Sequence, residues 1–149
     1  MKISDLKIPA NAGDTLLRVA LGVMFIAHSV VLKYFTFTLA GTAQYFESIG
    51  LPAFLAYVVF ALEAVGGVLL VLGIATRWIA LGLVPVLLGA LWVHVGNGWV
   101  FSAPNGGWEY PLFLIVISAV VAIQAPAPAA RPLAAGIDRT LRAASRGSE

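Results

Sequence analysis

The sequence predicts an all-α membrane protein, a bundle of four transmembrane helices with both termini on the cytoplasmic side. Three observations predict it: composition, four long apolar runs, and the placement of basic residues. Of 149 residues, 60% are apolar and only 11% charged, against about 25% charged in an average water-soluble domain. With a mean hydropathy of +0.95, too few charges exist to surround an apolar core with a polar shell, so the outer surface faces lipid.

The apolar runs lie at about 16–37, 54–73, 78–95 and 110–124. A hydrocarbon core of roughly 30 Å needs about 20 helical residues, which the fourth run only approaches. Each run is continuously apolar rather than alternating, and a lipid-facing segment must satisfy its own backbone, so helices are expected rather than a barrel. The first run is longer than a signal-peptide core and no small-x-small cleavage pattern follows it; it is expected to remain as a span.

Orientation follows from the flanking charges. Lys2 and Lys7 precede the first span, Arg77 lies between the second and third, and Arg131, Arg139, Arg142 and Arg146 follow the fourth. The opposite loops, 38–52 and 96–110, hold only Glu47 and Glu109. The positive-inside rule then places both termini in the cytoplasm of a bacterial inner membrane, with Lys33 the one exception. Trp92, Trp99 and Trp108 mark the opposite interface.

Residues 1–125 thus form the transmembrane domain, and 126–149 an Ala/Pro linker followed by a basic tail. In that tail Leu133, Ile137 and Leu141 recur every four residues between arginines, the pattern of a short interfacial helix. Pro85 removes a hydrogen bond from the third span and predicts a bend there.

Polar residues inside the spans are the candidate site, because ionisable groups in hydrocarbon face the bundle interior and take partners. Counting along the helices puts His28 roughly 18 Å and Lys33 roughly 25 Å outward from Leu16, and Glu63 roughly 14 Å below Phe54. Glu63 and His28 share a depth, making them candidates for a proton relay. Ala56, Gly66 and Gly67 lie on the face of Glu63, so that face is expected to meet another helix. His28 and Arg18 are the available partners for the carboxylate, and spacing does not choose between them. Lys33, His94 and Glu109, with Tyr110 nearby, form a second group toward the tryptophan end; with Arg18 they are the candidate cofactor contacts.

Other chemistries find no support in the sequence. There is no cysteine, hence no disulfide, thiolate metal site or dithiol redox pair. No HxxxH or ExxH spacing suggests a metal, no phosphate-cradling glycine loop or nucleophile elbow is present, and the few basic residues are juxtamembrane, which excludes nucleic acid as an expected partner.

The arrangement Arg18, Gly22, His28-Ser29 and Lys33 resembles the opening of the DoxX family of small four-helix membrane proteins. Glu63-x-x-Gly66-Gly67, Leu70, Leu72-Gly73 and Thr76-Arg77 resemble its most distinctive stretch, and Gly106-Gly107-x-Glu109-Tyr110-Pro111 is similar to its approach to the fourth span. The resemblance covers about 16–124. The Gly136-Ile137-Asp138 finish is also similar, although the Ala/Pro insertion before it departs from the family spacing.

The resemblance implies a redox setting, in which the chain is an accessory or quinone-interacting subunit of a membrane oxidoreductase complex. In that setting Glu63 would relay protons, His28 would hydrogen-bond a quinone carbonyl, and Arg18 would hold the acid ionised or bind a headgroup. Two other readings stand beside it: a structural scaffold of a membrane assembly, and a proton-coupled small-molecule transporter using Glu63. The expected partners are the lipid bilayer and other membrane proteins; homo-oligomerisation is left open.

Overall fold

The computed structural model describes residues 11–125, so the predicted tail helix and linker lie outside it. Among the described residues every regular element is helical. Helix α1 spans Ala12–Ile26 and continues directly into a π-helical segment, Ala27–Thr36. A short α2 follows at Leu39–Ser48, then α3 at Phe54–Leu72, α4 at Thr76–His94 and α5 at Glu109–Gln124. Three helical stretches, 12–36, 54–72 and 76–97, are long and apolar enough to cross a membrane, and α5 is shorter. Large apolar side chains such as Val65, Val68, Leu88, Phe113 and Ile123 remain exposed along α3, α4 and α5. A soluble monomer rarely leaves so much apolar surface uncovered, and the chain is a multi-pass membrane protein.

Helix α1 packs along α3, α3 on α4, α4 on α5, and α5 returns to α1, closing a ring of four. Its core is Leu21, Phe25, Leu70, Leu83, Leu87, Leu114 and Val121, with Ala80 and Ala122 where helices approach. The α1–α3 crossing is the tightest: a methyl group at Gly22 would lie 2.7 Å from the Gly67 carbonyl oxygen, and one at Gly67 would lie 2.8 Å from that of Gly22. These glycines are side-chain-free because backbone meets backbone there.

Two arginines close the end of the bundle where α1 begins, called here the arginine end. A helix leaves its last carbonyls without intrahelical donors, and in a membrane protein that deficit must be met internally. Arg18 donates through Nη1 to the carbonyls of Leu70 and of Val71, the latter at 2.8 Å, at the end of α3. Arg77 does the same for α5, donating through Nε to Ala122 and through Nη2 to Ala125, both at 3.1 Å. Positive charge at a helix C-terminus also complements the macrodipole. Gly73 ends α3 with φ of 74°, a left-handed conformation in which Arg18 fills the space a side chain would need.

Arg77→Ala should therefore leave the α5 carbonyls unpaired. A hydrogen bond to a charged group contributes about 1.5–3 kcal/mol, so unfolding in mild detergent, followed by circular dichroism, should require visibly less denaturant; Arg77→Lys should recover part of the loss.

One expectation is corrected. Residues 38–52 are not a simple loop, for they contain α2, capped at Thr38, whose hydroxyl accepts from the Gly41 N–H at 3.1 Å. Ten residues at 1.5 Å each reach only about 15 Å, too short to cross; Thr42 and Ala43 form its buried face, and it rests on α3 and on the π-helical segment. Helix α4 continues through Pro85, whose ring lies on an exposed face.

Candidate functional site

Glu63 sits midway along α3 and is buried on the same face as Ala56, Gly66, Gly67 and Leu70, turned into the bundle as its neighbours predict. Its partner is neither Arg18 nor a direct His28 contact. Lys33 Nζ donates to Glu63 Oε2 at 2.5 Å, with the carboxylate side chain only 8% exposed. His28 lies within electrostatic reach of the same carboxylate. This removes the one exception to the charge asymmetry, since Lys33 points into the bundle rather than into a loop.

The π-helical segment explains why counting residues misplaced Lys33. In an α-helix residues 28 and 33 are about 140° apart in projection, whereas an i→i+5 ladder brings residue i+5 back above residue i. The wider ladder is visible where the Phe37 N–H donates to the Leu32 carbonyl at 2.8 Å. Its local cause is two adjacent polar side chains at the junction. His28 Nδ1 bonds the Met24 carbonyl at 2.9 Å, and Ser29 Oγ donates to those of Phe25 at 2.8 Å and Ile26 at 3.2 Å. Side chains that compete for the i−4 carbonyls loosen the α-ladder just beyond them. The motif His28-Ser29 thus bends the register that carries Lys33 onto Glu63.

His28 also stacks on Tyr110 of α5, with ring centroids 5.5 Å apart and planes 23° from parallel. Because a carbonyl only accepts, the bond to Met24 assigns the proton of neutral His28 to Nδ1 and leaves Nε2 as an acceptor. His28 can therefore take up a proton, and it donates to a carbonyl through Nε2 only once protonated. The ready donor is Tyr110, whose hydroxyl is buried without a hydrogen-bond partner among the described residues. Sequence reasoning places Tyr110 beside the Lys33, His94 and Glu109 group without giving it a role; a tyrosine at the start of a span beside a proline carries no distinctive spacing.

Tyr110 and the sequence candidate Glu109 also line a cleft of about 460 Å³ at the tryptophan end, together with Trp99, Phe101, Leu112, Phe113 and Val116. Glu109 and His94, the two remaining sequence candidates, also tie down the adjoining loop. Glu109 Oε1 accepts from the Phe101 N–H at 2.7 Å, while His94 Nδ1 bonds the carbonyls of Asn105 at 3.0 Å and Gly106 at 3.1 Å. Asn97 Nδ2 donates to the same two carbonyls, and Trp99 meets Trp108 edge to face at 4.4 Å. Lys33 thus takes Glu63 as its hydrogen-bond partner, while His94 and Glu109 bond the backbone of the loop at the tryptophan end and Arg18 donates to the end of α3.

The buried acid, the small-residue face after it and both capping arginines lie within a stretch that matches a known family. Residues 13–96 match DoxX. The chain belongs to the DoxX family. A curated relative, "Putative oxidoreductase CatD" of Bacillus subtilis (strain 168), is 46% identical over 79 residues, which cover 53% of this chain and 57% of that protein. The chain thus matches little more than half of that relative's length. No solved structure matches it.

Proposed function

We propose that this DoxX protein is a four-span accessory subunit of a membrane redox complex, with both termini cytoplasmic, and that it contributes side chains to a quinone site. The observation that carries the reading is the Lys33–Glu63 pair, buried midway along the bundle beside the stacked His28 and Tyr110. An ionisable pair is expensive in hydrocarbon and is retained where a pathway or ligand uses it. The name of the Bacillus relative supports a redox context.

The residues present fit such a ligand. A quinone ring needs a flat apolar wall and a donor for its carbonyl oxygen; the aromatic cleft provides the first and the unpartnered Tyr110 hydroxyl the second. When bound, a quinone supplies two-electron, two-proton redox chemistry. The chain's own part is to hold and move protons. Glu63 can accept or release a proton while the Lys33 ammonium balances its charge, and His28 Nε2 can accept one at the edge of the Tyr110 stack. His94 and Glu109 keep the loop folded over the cleft.

Glu63→Gln preserves shape and removes the titrating group. In membranes carrying the variant in normal amount, quinone-linked electron transfer should fall by about a hundredfold if general acid–base transfer through Glu63 is on the path. Unchanged turnover eliminates the reading. A scaffold role is favoured instead if the yield of the complex drops while turnover per assembled complex does not.

A further inference from the structure

A second cleft, of about 350 Å³, opens at the arginine end among the ends of all four long helices. Its polar wall is Asn11, Asp14, Thr15, Arg18, Thr76 and Gln124. Asp14 and Arg18 stand one turn apart on α1, the spacing at which an acid and a base ordinarily pair. They form no ion pair; Arg18 is instead drawn by Nη1 onto the Leu70 and Val71 carbonyls. This leaves a carboxylate with no cation among the described residues, next to a guanidinium whose Nε and Nη2 donors have no described protein acceptor.

A ligand of one sign would satisfy one of these charges and oppose the other. We infer that this cleft binds a zwitterion carrying a phosphate and a primary ammonium group, the headgroup chemistry of an ethanolamine phospholipid. The phosphate meets the free face of Arg18 and the hydroxyls of Thr15 and Thr76. The ammonium meets Asp14 and the side-chain amides of Asn11 and Gln124. A primary ammonium has three N–H donors for those acceptors, whereas a trimethylated one has none. Depth selects the same class: Arg18 is level with the last turn of α3, where the span ends and headgroups begin.

The test is native mass spectrometry of the full chain in detergent with an equimolar mixture of phosphatidylethanolamine, phosphatidylcholine and phosphatidylglycerol of identical acyl chains. Ethanolamine lipid should be retained about five- to tenfold over each of the others, as expected for one charge-assisted contact. Asp14 is exposed, so Asp14→Asn should leave helicity by circular dichroism unchanged and bring the ratio to ethanolamine over choline lipid close to one. Equal retention of the three lipids by the unaltered chain overturns the proposal, as does a preference that survives Asp14→Asn in a folded protein. Glycerophosphoethanolamine, which lacks acyl chains, identifies the source: displacement of the lipid at millimolar concentration supports the same chemistry in a soluble ligand, and no displacement supports the lipid.

Discussion

Replacing Gly22 with leucine should prevent α1 from docking on α3 and leave the protein aggregated or poorly helical in mild detergent. At this crossing the obstruction is backbone on both sides: a Cβ at Gly22 would lie 2.7 Å from the Gly67 carbonyl oxygen and 3.0 Å from the Val71 nitrogen. Neither can step aside without moving α3, on which Glu63 and the Arg18-capped carbonyls depend. Overpacking against movable side chains typically costs about 1–3 kcal/mol; against two rigid helices the loss should exceed that range. Gly67→Leu should match it, because a Cβ there meets Gly22 O at 2.8 Å and Ile26 N at 3.1 Å. Gly66 is a useful contrast, since its nearest neighbours are Leu83 side-chain atoms from 2.9 Å outward, which can rotate. Gly66→Ala should therefore be mild, and Gly82→Ala and Gly89→Ala, with nothing within 4 Å, neutral. Denaturant titration of the five variants in one detergent gives the order directly; a well-folded Gly22→Leu protein would refute this crossing.

The helices were legible because hydropathy and length are properties of a window, insensitive to any one side chain. The starts and ends of α3 and α5 fall within one residue of the apolar runs, and α1 and α4 begin a few residues earlier than theirs. Helix α2 escaped because LAGTAQYFES mixes small, polar and aromatic residues, and its cap depends on Thr38 holding φ of 61°. That Glu63 faces inward was also legible, since the small residues after it fix its face. Its partner was not. Depth counted at 1.5 Å per residue presupposes an α-helix throughout, and the π-helical turn that swings Lys33 toward Glu63 arises from how His28 and Ser29 bond carbonyls four residues back. The partners of Arg18 and Arg77 were equally hidden: both are backbone oxygens of other helices, 52 to 53 and 45 to 48 residues away in sequence.

The ion pair itself separates stability from function through a double-mutant cycle. Lys33→Met alone should destabilise the bundle severely, by about 3–5 kcal/mol, because it strands a carboxylate in the interior. Glu63→Met should do the same by stranding the ammonium. The double variant removes both charges and substitutes unbranched apolar side chains that fill irregular space, so it should regain most of the lost stability, as buried pairs replaced by apolar residues commonly do. The coupling energy from the four proteins then measures the pair rather than either residue. Measured beside quinone-linked turnover, the cycle discriminates what the charges are for. If Lys33 and Glu63 only fasten α1 to α3, the double variant recovers turnover along with stability. If the carboxylate handles protons, the double variant folds as well as the unaltered chain and still fails to turn over, because methionine restores packing and cannot carry a proton.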